Sequence, residues 1–152
     1  LGMWEEWSHD RALPWELLDS PMHGGVARFL EDLGRVYGAV PALWAGDHET
    51  DGFAWIDASD VEASVYSWIR RAGPDVAVVV LNLTPVPRPN YRLGLPRAGR
   101  WVEVLNSDSE HYGGSNLGNL GGIEAWEDGW HGQPASATLV LPPLAGLVLR
   151  PE

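Results

Sequence analysis

The hydrophobic pattern of this chain changes its period near Trp44, and no other feature restricts the fold as strongly. Before this point, apolar residues recur every three or four positions, which is typical of a helix with one apolar face. This stripe consists of Val26, Phe29, Leu30, Leu33, Val36 and Tyr37. Ser20 and Pro21 are typical of a helix start, and Gly38 and Pro41 of a helix end. The sequence therefore predicts one long helix between Ser20 and Pro41.

After Trp44, short β-branched or aromatic segments alternate with turn residues, a pattern typical of an antiparallel β-sandwich. Seven strands are predicted: Phe53–Ile56, Ser64–Arg70, Val76–Leu83, Tyr91–Leu95, Trp101–Leu105, Thr138–Leu141 and Leu147–Arg150. The run 76–81 is apolar without alternation, so we expect it to be central and buried on both faces. The stretch 106–136 is rich in glycine and is expected to be irregular.

Residues 1–20 show neither period and carry three tryptophans among acidic side chains, which predicts a long ordered loop. The fold class is therefore mainly β, with a loop and one long helix ahead of an antiparallel sandwich. We place the boundary between the two parts near residue 45, so that they span 1–45 and 46–152. The helix has only the sandwich to cover its apolar stripe, and we expect that stripe to need a further partner for full burial.

Charge and composition exclude several classes of function. The chain has 152 residues, a formal net charge of -11 and no lysine, and its 10 basic side chains form no stripe. Phosphate backbones and anionic membrane surfaces would be repelled, so neither nucleic acid nor membrane is an expected partner. The longest apolar runs are short or broken by Pro142 and Pro143, so we expect no segment to span a bilayer. With no cysteine and no visible signal peptide, we expect a cytoplasmic location.

The remaining motifs do not indicate catalysis or cofactor binding. Ser8, His9 and Asp10 are the residue types of a hydrolase triad, but consecutive residues cannot line up as nucleophile, base and orienting acid. The glycine-rich stretch 113–122 lacks the lysine of a phosphate-binding loop, and we expect a mobile or tightly turning loop there instead. The five histidines show no metal-ligand spacing. We therefore expect neither a metal nor a cofactor.

Tryptophan is the least explained feature of the composition, with 9 residues in the chain. Trp55 and Trp68 lie in predicted strands, where we expect them to be part of the core. Five others lie in predicted loops: Trp4, Trp7, Trp15, Trp126 and Trp130. An indole combines a flat apolar face with one N–H donor, which suits the apolar face of a sugar ring and equally suits a protein interface. The positions of the tryptophans in the sequence are compatible with both a sugar-binding role and a role in a protein interface.

Specific motifs follow one another along the whole chain. They include Trp4-Glu5-Glu6-Trp7-Ser8-His9-Asp10, Val26-Ala27-Arg28-Phe29, Gly52-Phe53-Ala54-Trp55-Ile56, Asn82-Leu83-Thr84-Pro85, Trp101-Val102-Glu103-Val104-Leu105-Asn106 and Tyr112-Gly113-Gly114-Ser115-Asn116. In this order they resemble the C-terminal portion of the bacterial glycogen (1,4-α-glucan) branching enzymes, which belong to the α-amylase superfamily. One departure is Met3, where that family is expected to have glutamine.

The resemblance implies that residues 1–45 are the last loop and last helix of a catalytic (β/α)₈ barrel, and that 46–152 are the C-terminal all-β domain. It implies an enzyme that cleaves α-1,4-glucan by double displacement and transfers the chain to a 6-hydroxyl, forming an α-1,6 branch. The catalytic carboxylates of that family belong to motifs upstream of the matched region. No catalytic residue is therefore assigned here, and the chain alone is expected to be inactive.

The same resemblance suggests where glucan would bind. The first loop would follow barrel strand eight, at the face where such barrels place their active sites. There Trp4, Trp7, His9 and Asp10 would border the substrate cleft and position glucan. A secondary glucan site on the sandwich would use Trp101, Tyr112 or Trp130. The expected partners are thus α-1,4-glucan (glycogen or amylose) and the remainder of the barrel.

Two other interpretations remain open. The chain could be a standalone, non-catalytic α-glucan-binding module, in which case the isolated 152 residues would bind amylose. It could also be a purely structural domain with all of its tryptophans buried. The exposure of the loop tryptophans separates the last interpretation from the other two.

Overall fold

A computed structural model describes residues 3–152; residues 1 and 2, at the start of the predicted loop, lie outside the described residues. After an irregular segment, a 3₁₀ turn at Trp15–Asp19 leads into the helix α1, Pro21–Ala39. A second 3₁₀ turn at Pro41–Leu43 follows. The predicted long helix is confirmed, with Pro21 at its first position and Val40 as the C-terminal cap. Proline fits this first position because its missing N–H would have no partner within the helix.

Eight strands, joined by loops, follow in the described part of the chain. They are β1 (Phe53–Asp60), β2 (Val65–Ala72), β3 (Asp75–Asn82), β4 (Arg88–Leu95), β5 (Gly99–Asn106), β6 (Gly122–Ala125), β7 (Ala135–Leu141) and β8 (Ala145–Pro151), with a 3₁₀ turn at Glu110–Tyr112 between β5 and β6. The sheet of six has the order β1-β2-β3-β8-β5-β6, and β4 pairs with β7 in a second sheet. All pairs are antiparallel. The prediction of a mainly β, antiparallel fold is confirmed.

The core lies between the two sheets. Its largest fully buried side chains include Ile69, Val80, Leu93, Leu139 and Leu149, contributed by strands of both sheets. β3 is central, between β2 and β8. Val78 faces this core, whereas Ala77 on the opposite face packs against Val40 and Ala42. The expectation that the run 76–81 is central and buried on both faces holds for these positions.

Three sequence expectations about the sandwich are wrong. Strand β6 was not predicted, because its four residues lie between glycines and the exposed Trp126 and are too few to show a period. Trp68 is expected in the core, but it is only partly buried and lies on the outer face of the sheet. Trp55 is also expected in the core, but its side chain is 53% exposed. It lies on the edge strand β1, one position before the buried Ile56, and strand alternation directs it to the outer face of the sheet.

Helix α1 packs loosely against this outer face. The only buried residues of the helix are Gly24 and Gly25, and the stripe residue Leu30 is 57% exposed. A groove of about 590 Å³ separates the helix from the sheet, and Phe29, Trp68 and Val79 are among its lining residues. The apolar stripe is therefore incompletely covered, as expected. Within residues 3–152, no helix has the length and apolar character needed to cross a membrane.

Candidate functional site

The N-terminal segment encloses a cleft with two exposed tryptophans. The cleft has a volume of about 340 Å³, and residues from Met3 to Leu17 line it, including Trp4 and Trp7. The exposed fractions of Trp4 and Trp7 are 105% and 66%. Removing rings of this size from water is favourable. Two exposed indoles beside one cleft therefore favour binding of a ligand with flat apolar faces.

His9 and Asp10 occupy a different position from these tryptophans. Their side chains approach each other, with 3.1 Å between His9 Nε2 and an Asp10 carboxylate oxygen, and both are largely exposed. Neither is among the residues that line the cleft, whereas the neighbouring Ser8 and Arg11 are. Arg11 forms an ion pair with Glu5 across the segment. The structure therefore brings Trp4 and Trp7 to the cleft but leaves His9 and Asp10 outside its lining.

Trp101 is a core residue, which corrects its assignment to a secondary glucan site. Its side chain is 0% exposed, and its indole N–H donates a 3.1 Å hydrogen bond to the carbonyl oxygen of Arg97. It lies in β5 opposite Ile123 of β6. Because both ring faces are packed and the single donor is satisfied, Trp101 has no surface to offer a sugar in this structure.

Tyr112 joins the sandwich to helix α1. Its hydroxyl donates a 2.8 Å hydrogen bond to a carboxylate oxygen of Asp32, and its ring meets the edge of Phe29 at 5.4 Å between centroids. Next to it, Arg28 Nε donates to the carbonyl oxygen of His111 at 3.0 Å. With its hydroxyl directed into this contact, Tyr112 fits a structural role better than the predicted role in a glucan site.

The Tyr112–Asp32 contact shifts the pKa of both groups. The hydrogen bond from Tyr112, followed by the charges of Arg35 and His111, holds the pKa of Asp32 below its ordinary value of 3.8, although burial opposes this. Burial and then the hydrogen bond and charge of Asp32 raise the pKa of Tyr112 to about 12. The contact is therefore built from a neutral phenol and an ionised carboxylate across the ordinary pH range.

The third sandwich candidate, Trp130, lies in an exposed hairpin that connects β6 to β7. We call residues 126–134 the tryptophan hairpin. Trp130 is 44% exposed, and Trp126 near the base of the hairpin is 68% exposed. The guanidinium of Arg92, on β4, lies over the Trp130 ring at 4.6 Å from its centroid. The sequence indicated two loop tryptophans here, but not the arginine, since 34 residues separate Arg92 from Trp126.

A titratable cluster lies at the tip of this hairpin. His131 Nε2 lies 3.6 Å from a carboxylate oxygen of Asp57, and both side chains are mostly buried. Burial lowers the pKa of His131, and the opposing charges of Asp57 and Asp60 do not compensate for it. Burial acts to raise the pKa of Asp57, but hydrogen bonds from Ser59 and the charge of His131 leave it lowered overall. His131 is therefore neutral near pH 7, and it packs from the hairpin turn towards Asp57.

The glycine-rich stretch 113–122 is an ordered structure rather than a mobile loop. The buried Asp108 carboxylate accepts hydrogen bonds from the backbone N–H groups of Ser115 at 2.9 Å and Leu117 at 3.1 Å. The side-chain amide of Asn119 bonds to Glu103 and to the carbonyl oxygen of Val140. These groups are turned towards the protein, so they are not free to contact a sugar. Of the two forms expected from the sequence, the tight turn is the one observed.

The class of this β domain follows from comparison with known proteins. Residues 55–152 match the family described as the alpha amylase C-terminal all-beta domain. The chain belongs to this family. Within the part of the chain that the structure describes, there is no (β/α)₈ barrel, and no three His, Cys, Asp or Glu side chains are grouped so that they could hold a metal.

More particular likenesses extend over nearly the whole chain. The chain is 54% identical over 99% of its length to the 1,4-alpha-glucan branching enzyme of Cupriavidus necator, and 52% identical over 96% to that of Cereibacter sphaeroides. It is 44% identical over 99% of its length to the branching enzyme of Aquifex aeolicus. The matched region is 20% of the first two relatives and 24% of the third, so the chain spans only about a fifth of their length.

Proposed function

We propose that this chain is the C-terminal part of a 1,4-α-glucan branching enzyme, which cleaves α-1,4-glucan and transfers the chain to a 6-hydroxyl to form an α-1,6 branch. The observation that carries the proposal is the high identity to proteins of that name over 96–99% of this chain. The resemblance places the catalytic carboxylates upstream of the matched region, so no residue here is proposed as catalytic. The same resemblance supports a cytoplasmic location.

In this proposal residues 1–45 belong with the catalytic barrel and residues 46–152 form the C-terminal domain. The uncovered apolar surface supports this division. Helix α1 exposes Val26, Leu30 and Tyr37, and Trp55 is exposed on the outer face of the six-stranded sheet. Exposed apolar side chains grouped on one helix are typical of a surface that packs against a partner. The remainder of the barrel is the partner that would cover it, and a standalone glucan-binding module would leave it exposed.

The cleft in the N-terminal segment would border the substrate site of that barrel. Trp4 and Trp7 present exposed rings beside the cleft, and we propose that they stack on glucose units and position the glucan. His9 and Asp10 remain proposed as polar contacts to sugar hydroxyls from outside the lining. Both side chains are largely exposed and carry hydrogen-bonding groups, which suits contact with the hydroxyls of a glucan chain.

Branching activity of the full-length protein that contains this chain tests the proposal. We expect amylose to gain α-1,6 linkages, detected by debranching and chain-length analysis, while the 152-residue chain alone forms none. In the full-length protein, Trp4→Ala with Trp7→Ala should weaken amylose binding by about tenfold, equivalent to about 1.4 kcal/mol. Val61→Ala, a similarly exposed apolar residue in the turn between β1 and β2, is the matched control. Absence of branching by the wild-type protein would disprove the proposed activity.

A further inference from the structure

We infer that the tryptophan hairpin is a second α-glucan contact, separate from the cleft of the N-terminal segment. The inference rests on the proposed function, which supplies the ligand class, but it assigns binding to a surface that catalysis does not require. It depends on where the hairpin lies, on how rigidly it is held, and on the chemistry of the groups that it exposes.

The hairpin lies on the opposite side of the sandwich from helix α1. In β4, Leu93 points into the core, so strand alternation places Arg92 and Gly94 on the outer face of the two-stranded sheet. The carbonyl oxygen of Trp130 packs directly over Gly94, where an added Cβ would lie only 2.2 Å from it. Helix α1, by contrast, covers the outer face of the six-stranded sheet. A barrel that packs on α1 would therefore leave the tryptophan hairpin free.

Several hydrogen bonds fix the backbone of the hairpin. At its base Trp126 N–H donates to Ser136 O at 2.9 Å, and Ser136 N–H donates back to Trp126 O at 3.1 Å. At its tip Gln133 N–H donates to Trp130 O at 2.8 Å. The two residues between them, His131 and Gly132, both have positive φ, of 49° and 72°. This is a two-residue turn of the type that matches strand twist, and it leaves the hairpin little freedom.

Arg92 links the hairpin side chains to the sheet below. Its Nε donates to Ser136 Oγ at 3.1 Å, and its guanidinium forms an ion pair with Asp128 while lying over the Trp130 ring. One face of the indole is thus supported by a planar cation that is itself held by two partners. The ring is ordered before a ligand arrives, so binding loses less side-chain entropy than it would with a free tryptophan.

The exposed chemistry of the hairpin suits a neutral, hydroxylated polymer. Trp126 and Trp130 supply apolar ring area, while the exposed Glu127 and Asp128 supply acceptors for sugar hydroxyls. These carboxylates, with the net charge of -11, disfavour phosphate- or sulfate-bearing polymers. Among neutral polymers, α-1,4-glucan is the one that the proposed function supplies. A long glucan could then bind at both the cleft and the tryptophan hairpin, and this second contact would raise the apparent affinity of the protein for it.

Affinity electrophoresis of the full-length protein in gels with amylose tests this inference. To remove the contribution of the cleft, each hairpin variant is compared with its parent in both the wild-type and the Trp4→Ala/Trp7→Ala background. Trp126→Ala/Trp130→Ala should weaken retention by amylose by about tenfold in either background. Trp126→Ala alone leaves the backbone bonds and the Arg92 contact in place, and should weaken it by a few-fold. Trp130→Phe, which keeps an aromatic ring over Arg92, should retain most of the affinity.

Leu120→Ala is the matched control, because Leu120 is a fully exposed apolar residue just before β6 and outside the hairpin. Its retention should equal that of the wild type, and thermal unfolding should show that the single variant Trp126→Ala remains folded. If the folded Trp126→Ala protein and the double variant both bind amylose as the wild type does, the inference is overturned. The wild-type branching assay decides the proposed function independently, so a failure of one is distinguishable from a failure of the other.

Discussion

The hydroxyl of Tyr112 donates a 2.8 Å hydrogen bond to the carboxylate of Asp32, and so ties the loop after β5 to helix α1 across 80 positions of sequence. A hydrogen bond to a charged acceptor contributes more than a neutral one, but this acceptor is solvated, which reduces the gain. We expect Tyr112→Phe to lower the free energy of unfolding by about 1 kcal/mol, measured by urea denaturation. Tyr37→Phe, at an exposed tyrosine on the same helix, should change it by less than about 0.5 kcal/mol. Equal losses in both variants would contradict the importance of the hydrogen bond.

The same contact predicts a dependence of stability on pH at both extremes. Asp32 has a lowered pKa in the folded protein, so its contribution is present above its ordinary pKa of 3.8 and is lost as pH falls through the folded value. Tyr112 has a pKa raised from 10.0 to about 12, so its contribution is present below pH 10.0 and is lost as pH rises towards 12. The difference in stability between wild type and Tyr112→Phe should therefore be largest between these limits and shrink beyond each of them. A difference that stays constant from pH 3 to pH 12 would show that the contribution of the hydroxyl does not depend on the ionisation of Asp32 and Tyr112.

Two glycines of helix α1 should respond to alanine in opposite directions. A Cβ at Gly25 would lie 2.2 Å from the carbonyl oxygen of Tyr112, whereas a Cβ at Gly34 meets nothing within 4 Å. Gly25→Ala should push the helix away from the loop and cost about 1–3 kcal/mol, as other overpacked substitutions do. Gly34→Ala should stabilise the 152-residue chain by about 0.5–1 kcal/mol, because alanine has the higher helix propensity. Thermal unfolding of the two variants measures the contrast, and stabilisation by Gly25→Ala would mean that the close approach is absent.

These cases show which parts of the molecule the sequence can predict. The helix and most strands were predictable because periodicity records which face of a regular element is apolar. The close approach at Gly25 was not, because a helix–loop contact between distant residues leaves no periodic signal. The sequence predicts Trp55 in the core because it lies in a strand, but a strand position does not by itself imply burial. In fact β1 is an edge strand whose outer face has no cover within residues 3–152.

The candidate binding residues likewise divide into those that the sequence could identify and those that depend on tertiary contacts. Exposed tryptophans in loops could be identified from composition and pattern, and Trp4, Trp7 and Trp130 are indeed exposed. Trp101 begins a predicted strand rather than a loop, and its burial in the core between the two sheets depends on packing that the strand pattern alone does not record. The support of Trp130 by Arg92 depends on the packing of a hairpin over the second sheet. Such contacts between distant segments are set by tertiary structure and not by local pattern.

Asp108 should be the most sensitive polar residue of the sandwich loops. Its buried carboxylate satisfies the backbone N–H groups of Ser115 and Leu117 together with the hydroxyl of Ser115. Asp108→Ala removes the acceptor of these donors, and losing hydrogen bonds to a charged acceptor costs about 1.5–3 kcal/mol. We expect a loss of about 3 kcal/mol in urea denaturation, with faster hydrogen exchange at both amides. Asp51→Ala, at an exposed turn position, is the control and should stay within about 0.5 kcal/mol of wild type.

Leu30 on helix α1 distinguishes a covered from an uncovered apolar face. In the 152-residue chain it is 57% exposed, so Leu30→Gln should change the free energy of unfolding by less than about 0.5 kcal/mol. If the barrel packs on this face, the same substitution in the full-length protein removes a buried leucine and should cost about 2 kcal/mol. Val61→Gln, at an exposed position in the turn after β1, should be nearly neutral in both proteins. Parallel denaturation of the four variant proteins measures the contrast. A neutral Leu30→Gln in the full-length protein would show that this face stays in water, and would remove the support that it gives to the division at residue 45.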